Sequence, residues 1–156
     1  MRLSKTLLTG VFVASCVSPA LAQTNVGQLL DSGAVKLSAA DFRQEIVGRF
    51  LVGPGRGVTT GTTAFSNLEI VYLEGGLIRG SGSGAAAGGT PGWASFVIEG
   101  TWTIDEQDRI CQTTRAGNVV LAPRCQHWFK QADKYYFADS DSDRSALVTV
   151  RTVKKI

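Results

Sequence analysis

From Arg49 onward, apolar side chains recur at every second position in short runs, the repeat of a strand with one face buried. The clearest run spans residues 94–105. Phe96, Ile98, Gly100, Trp102 and Ile104 fall on one side, and Val97, Glu99, Thr101, Thr103 and Asp105 on the other. Leu68, Ile70 and Tyr72 repeat the pattern, as do Ala146, Val148 and Val150. It predicts strands near residues 49–53, 58–65, 68–74, 77–81, 94–105, 109–115, 124–130, 134–139 and 144–153. The breaks between them are short and rich in turn formers, among them Pro54-Gly55, Ser66-Asn67, Gly75-Gly76 and Ala116-Gly117-Asn118. Short breaks allow hairpins but not the crossovers that parallel strands need. The expected fold is therefore mainly β: an antiparallel meander that forms a small barrel or sandwich.

Before Arg49 the period is helical. Val26, Leu29 and Leu30 share one face of a short helix that Gly33 can close. In the next segment Ser38 is placed to N-cap, with Asp41 at the third helical position. Leu37 and Phe42 have the spacing of a hydrophobic staple, Ile46 and Val47 continue the apolar stripe, and Gly48 ends it. Residues 80–92 (Gly-Ser-Gly-Ser-Gly-Ala-Ala-Ala-Gly-Gly-Thr-Pro-Gly) carry no charge and little to bury, which predicts a flexible loop. No P-loop lysine follows it, so it is not read as a phosphate cradle.

The first residues have a different character. Arg2 and Lys5 precede an apolar stretch from Leu7 to Val17, and Ala20-Leu21-Ala22 then offers a small-x-small site. This is the pattern of a secretory signal peptide cleaved after Ala22. Its apolar stretch is about half the ~20 residues that span a bilayer, so no transmembrane anchor is expected. Val13-Ala14-Ser15-Cys16 offers a competing lipidation site at Cys16. The organisation expected is a signal peptide over 1–22, a helical segment over 23–48 and a β-domain over 49–156. Localisation in the periplasm, or secretion, from a Gram-negative bacterium follows.

Removing 22 residues changes the charge balance. The whole chain has 16 basic and 13 acidic side chains, and without Arg2 and Lys5 the balance is 14 to 13. A nearly neutral domain without a clustered basic face is not a nucleic-acid binder. Cys111 and Cys125 remain as a pair, and an even count in an exported chain reads as a disulfide. A metal site built from Cys111, Cys125 and His127 would lack a fourth ligand.

The candidate chemistry is sparse. His127 is the only histidine and so the one obvious general base near neutral pH. No Gly-x-Ser-x-Gly elbow supplies a nucleophile for it. Asp139, Asp141 and Asp143 alternate as in a calcium loop, but the positions for the loop's Gly and final Glu hold Arg144 and Val150. Trp93, Trp102, Trp128 and Tyr135 are candidates to line a ligand cavity or meet a partner. Trp102 is expected inside. Trp128, on the strand face opposite His127, is expected to face solvent.

The run Leu37 to Phe42, Gly48, then Gly100-Thr101-Trp102-Thr103-Ile104-Asp105 leading to Arg109-Ile110-Cys111 and a second Cys125, resembles a family of small exported proteobacterial proteins of unknown function. In that family a Gly-x-Trp strand and a short acidic turn precede the first of two cysteines. The likeness covers residues 36 to about 139; it implies export and a β-fold and brings no established activity. A second likeness is to lipocalin-type barrels, in which a short helix precedes Gly-x-Trp. Here Gly48-Arg49-Phe50 has that placement, with Phe for Trp.

The functional expectation is a non-catalytic binding module, for a small apolar ligand or an envelope protein partner, with no cofactor. Two alternatives stand beside it. One is a secreted enzyme using His127 with a carboxylate; the other is an inhibitor or stress accessory protein acting through the Gly-rich loop and Trp93.

Overall fold

The computed structural model describes residues 25–54, 65–85 and 93–155. Helix α1 (Val26–Asp31), strand β1 (Val35–Lys36) and helix α2 (Ala39–Glu45) come first. A meander follows: β2 (Phe50–Gly53), β3 (Phe65–Leu73), β4 (Leu77–Ala85), β5 (Trp93–Ile104), β6 (Ile110–Ala116), the short β7 (Val119–Val120), β8 (Arg124–Gln131), β9 (Lys134–Ala138) and β10 (Thr149–Val153). Apart from β7, each strand of the meander pairs antiparallel with the next. β10 returns to β2, and β8 pairs with β6 at Cys111↔Cys125, so eight strands close into a barrel. Closure leaves no bare edge on those eight strands.

Helix α2 sits across one end of the barrel. Its N-terminus is built as the sequence predicts. Ser38 Oγ accepts from the Asp41 amide at 3.2 Å, and the Asp41 carboxylate accepts from the Ser38 amide at 3.0 Å. Leu37 and Phe42 then enter one buried cluster with Leu51, Tyr72, Ile78, Trp102 and Trp128. A helix of seven residues would not persist alone. This one is held by driving Phe42 into the barrel. Helix α1 packs outside, where Val26 and Leu29 cover Phe129, Tyr136 and Ala138 on the outer face of β8 and β9.

Both faces of β8 and β9 are therefore buried, and this corrects one expectation. Trp128 is not exposed; it points into the barrel and keeps 3% of its surface. The outer face of β8 is also apolar because α1 lies on it, so the solvent side cannot be inferred by elimination. Residues 80–85, expected in the flexible loop, are strand: β4 pairs with β3 as far as Gly84, across a register shift between Phe65 and Asn67, and with β5 to Ala85. The inward positions Gly80 and Gly82 admit no side chain. A Cβ on Gly80 would stand 2.2 Å from the Glu69 carbonyl oxygen, and one on Gly82 2.5 Å from Leu68 and Phe96. Residues 1–22, with the cleavage site after Ala22 and with Cys16, lie outside the described residues, as do 86–92 and most of the strand expected at 58–65. Among the described residues no helix is long and apolar enough to cross a membrane.

Candidate functional site

The aromatic residues expected to line a cavity are brought together, but at the plugged end. The Phe42 ring lies 5.3 Å from Tyr72, 5.5 Å from Trp102 and 5.3 Å from Trp128, mostly edge to face. Trp102 Nε1 donates to the Leu73 carbonyl at 3.0 Å, and Tyr72 donates its hydroxyl proton to Gln112 Oε1 at 2.9 Å. Tyr135 is also inside this end, its hydroxyl donating to Glu45 Oε2 at 3.0 Å while Lys130 holds the same carboxylate. Burial pushes the Tyr72 hydroxyl up to about 12, so it stays protonated and remains a donor. Phe42 fills the space these rings enclose. Trp93 opens β5 at the other end of the barrel, beside Ala85 in the register.

His127 is separate from this cluster. It lies on the outer face of β8, 7% exposed, with Nε2 3.5 Å from Asp141 Oδ1. Lys36 of β1 takes the other oxygen of that carboxylate at 2.7 Å and holds Asp141 below the usual carboxylate range. His127 Nδ1 is buried without a hydrogen-bond partner among the described residues. Burial pushes the imidazole below 6.5, and the neighbouring Lys36 acts in the same direction. Among the described residues no hydroxyl or thiol hydrogen-bonds to this ring.

Cys111 and Cys125 form a disulfide between the neighbouring strands β6 and β8, with the sulfurs 2.01 Å apart. The Asp105 carboxylate lies within 4.8 Å of both sulfurs, but those sulfurs are bonded to each other and are not thiolates. The carboxylates of the Asp139–Asp141–Asp143 series are each engaged by a different protein group. Asp139 accepts from Gln126 and Arg124, Asp141 from Lys36, and Asp143 from the Ser145 amide and hydroxyl.

Strand β10 turns a buried cation inward, opposite Tyr135 in the register and beside Phe137. On β10, Thr149, Arg151 and Val153 face inward, while Ala146, Val148 and Val150 pack toward α1. Arg151 is 4% exposed, with its guanidinium carbon 5.1 Å from the Phe137 ring centroid. Its Nη1 donates to the carbonyls of Pro54 and Val150. Burial lowers its pKa to about 10, which leaves it charged at neutral pH. The sequence signal was present: a lone basic residue inside the alternating run Val148 to Val153. Elsewhere on the inner wall, Leu68 and Ile70 on β3 and Phe96 on β5 are only partly buried. At the α2 end, Ile78 and Trp128 retain 0% and 3% of their surface.

The barrel interior thus combines an aromatic cluster under α2, partly exposed apolar side chains at Leu68, Ile70 and Phe96, and one buried inward cation, Arg151. No family model, curated protein or solved structure matches this chain.

Proposed function

We propose that this domain is an exported, non-catalytic binding module that takes a small, largely apolar ligand into the barrel end opposite α2. The observation that carries this reading is the difference between the two ends. The rings packed on Phe42 (Tyr72, Trp102 and Trp128) are sealed, whereas Leu68 and Phe96, which converge over Gly82 farther from α2, remain partly exposed on the inner wall. Apolar surface held inside a closed sheet, with a few polar groups beside it, is the usual makeup of a small-molecule site. The Cys111–Cys125 bond supports an oxidising compartment, in keeping with periplasmic or secreted localisation. His127, closed in by its surroundings and without a hydrogen-bonded nucleophile among the described residues, lends nothing to a hydrolytic reading.

The test is a titration of the disulfide-intact protein with N-phenyl-1-naphthylamine, a neutral lipophilic fluorophore, followed by its own emission and by tryptophan quenching. Saturable binding at one equivalent, displaced by 1-decanol, is expected. If the dye does not bind saturably, the small-ligand reading is lost. Capture of a defined envelope protein under the same conditions would then favour the partner-binding alternative.

A further inference from the structure

We infer that the ligand carries a carboxylate group and that Arg151 receives it, an inference that rests on the small-ligand reading above. A guanidinium removed from water is costly unless a counter-ion or a full set of hydrogen bonds compensates it. All 13 acidic side chains of the chain lie within the described residues. Their ion pairs go elsewhere: Asp31 to Arg144, Glu45 to Lys130, Glu69 to Lys154, Glu99 to Arg79 and Arg115, Asp105 to Arg109, Asp139 to Arg124 and Asp141 to Lys36. None pairs with Arg151. The cation is therefore 4% exposed without a side-chain carboxylate opposite it.

The geometry shows which part of the group is committed. Nη1 is used by the Pro54 and Val150 carbonyls, while Nε and Nη2 make no hydrogen bond to a described residue. That Nε/Nη2 edge is one a carboxylate binds with two parallel N–H···O bonds. The guanidinium is also held in place. Phe137 lies beside it, and Gly53 leaves the room it occupies: a Cβ there would stand 3.1 Å from Nη1 and 2.6 Å from the Val150 carbonyl oxygen. Pre-positioning reduces the entropy lost when an anion docks. A single cation held against Gly53, whose register partner is the apolar Leu68, suits one carboxylate on an apolar body better than a phosphate dianion.

Calorimetric titration with decanoate and with 1-decanol, equal in chain length and differing in the headgroup, tests this on the wild-type protein. Decanoate is expected to bind at least tenfold more tightly than decanol. In Arg151→Met the decanoate affinity should fall at least tenfold, with decanol affinity within threefold of wild type. Arg151→Lys, which keeps the charge but not the fork, should fall between them. Equal wild-type affinities for the acid and the alcohol would overturn the carboxylate inference and leave the small-ligand reading standing. A decanoate preference that survives in Arg151→Met would overturn the assignment to Arg151. Failure of both compounds to bind would remove the inference together with the reading beneath it. The wild-type comparison decides the headgroup question even if the variant does not fold.

Discussion

Replacing Phe42 by Ala removes the side chain of α2 at the centre of the aromatic cluster, and its cost follows from the packing. Phe42 keeps 1% of its surface and contacts the rings of Tyr72, Trp102 and Trp128. Loss of a fully buried apolar side chain removes about 1.5–3 kcal/mol of transfer free energy. The unfilled space and the lost edge-to-face contacts bring the usual total for Phe to Ala to about 3–5 kcal/mol. Domains of this kind are stable by about 5–15 kcal/mol, so the variant should remain folded but weakened. At roughly 4 °C per kcal/mol the melting temperature should drop by roughly 15 °C. Urea unfolding followed by tryptophan emission gives the free energy directly, with an unchanged slope expected because the surface exposed on unfolding is nearly the same. Ser38→Ala provides the contrast, since it weakens the same helix through its cap alone, by about 1 kcal/mol. A loss below about 1.5 kcal/mol for Phe42→Ala, or a cost equal to that of Ser38→Ala, would refute the view that the plug rather than the cap holds α2.

Three further outcomes are expected. The Cys111–Cys125 bond spans 14 residues of sequence, so replacing both cysteines by Ala should lower stability by about 3 kcal/mol in the chain-entropy model; urea unfolding of the pair variant would contradict this if the midpoint did not move. Gly80→Ala should cost about 3 kcal/mol, because its Cβ meets the backbone of β3, and Gly82→Ala nearer 1 kcal/mol, because the side chains of Leu68 and Phe96 can shift; thermal melts giving the reverse order would count against the register of β4. Because burial holds His127 below 6.5, the unfolded chain takes up that proton first as pH falls. Its contribution is present above about pH 7 and declines through pH 6.5 toward the lowered folded value. Melting temperatures should fall between pH 7.5 and 5.5 in wild type and change less in His127→Phe; equal slopes would remove His127 as the cause.

The sequence was most legible where an element buries one face. β5 alternates cleanly because Val97, Glu99, Thr101 and Thr103 face outward with no helix over them, so Trp102 could be placed inside from its position alone. The capping box and staple of α2 could be read for a similar reason: each depends on neighbours within a few residues. Legibility failed where a second layer covers the sheet. On β8, four consecutive residues from Gln126 to Phe129 are buried, and on β9 four from Tyr135 to Ala138. With both faces apolar the period vanishes, and the alternation alone does not show that Trp128 faces inward. β4 failed differently. Its inward Gly80, Gly82 and Gly84 give no apolar signal, and only the neighbouring strands reveal that the chain stays extended there.

Arg151 was missed through the same two-layer effect, and its placement bears on function. Read alone, Ala146, Val148 and Val150 look like the core-facing row of the last strand, which would leave Thr149 and Arg151 to solvent. Helix α1 claims the apolar row for the outer core, and that turns the intervening positions Thr149 and Arg151 into the barrel. A sequence under no constraint but packing would be expected to carry an aliphatic residue there, since a buried unpaired cation is destabilising relative to a well-packed apolar side chain of similar volume. Arg151→Met therefore carries a stability consequence as well as a binding one. Without ligand the variant should be at least as stable as wild type; a loss of 2 kcal/mol or more in urea would mean that the guanidinium serves the fold through its Pro54 and Val150 carbonyl contacts and not a ligand.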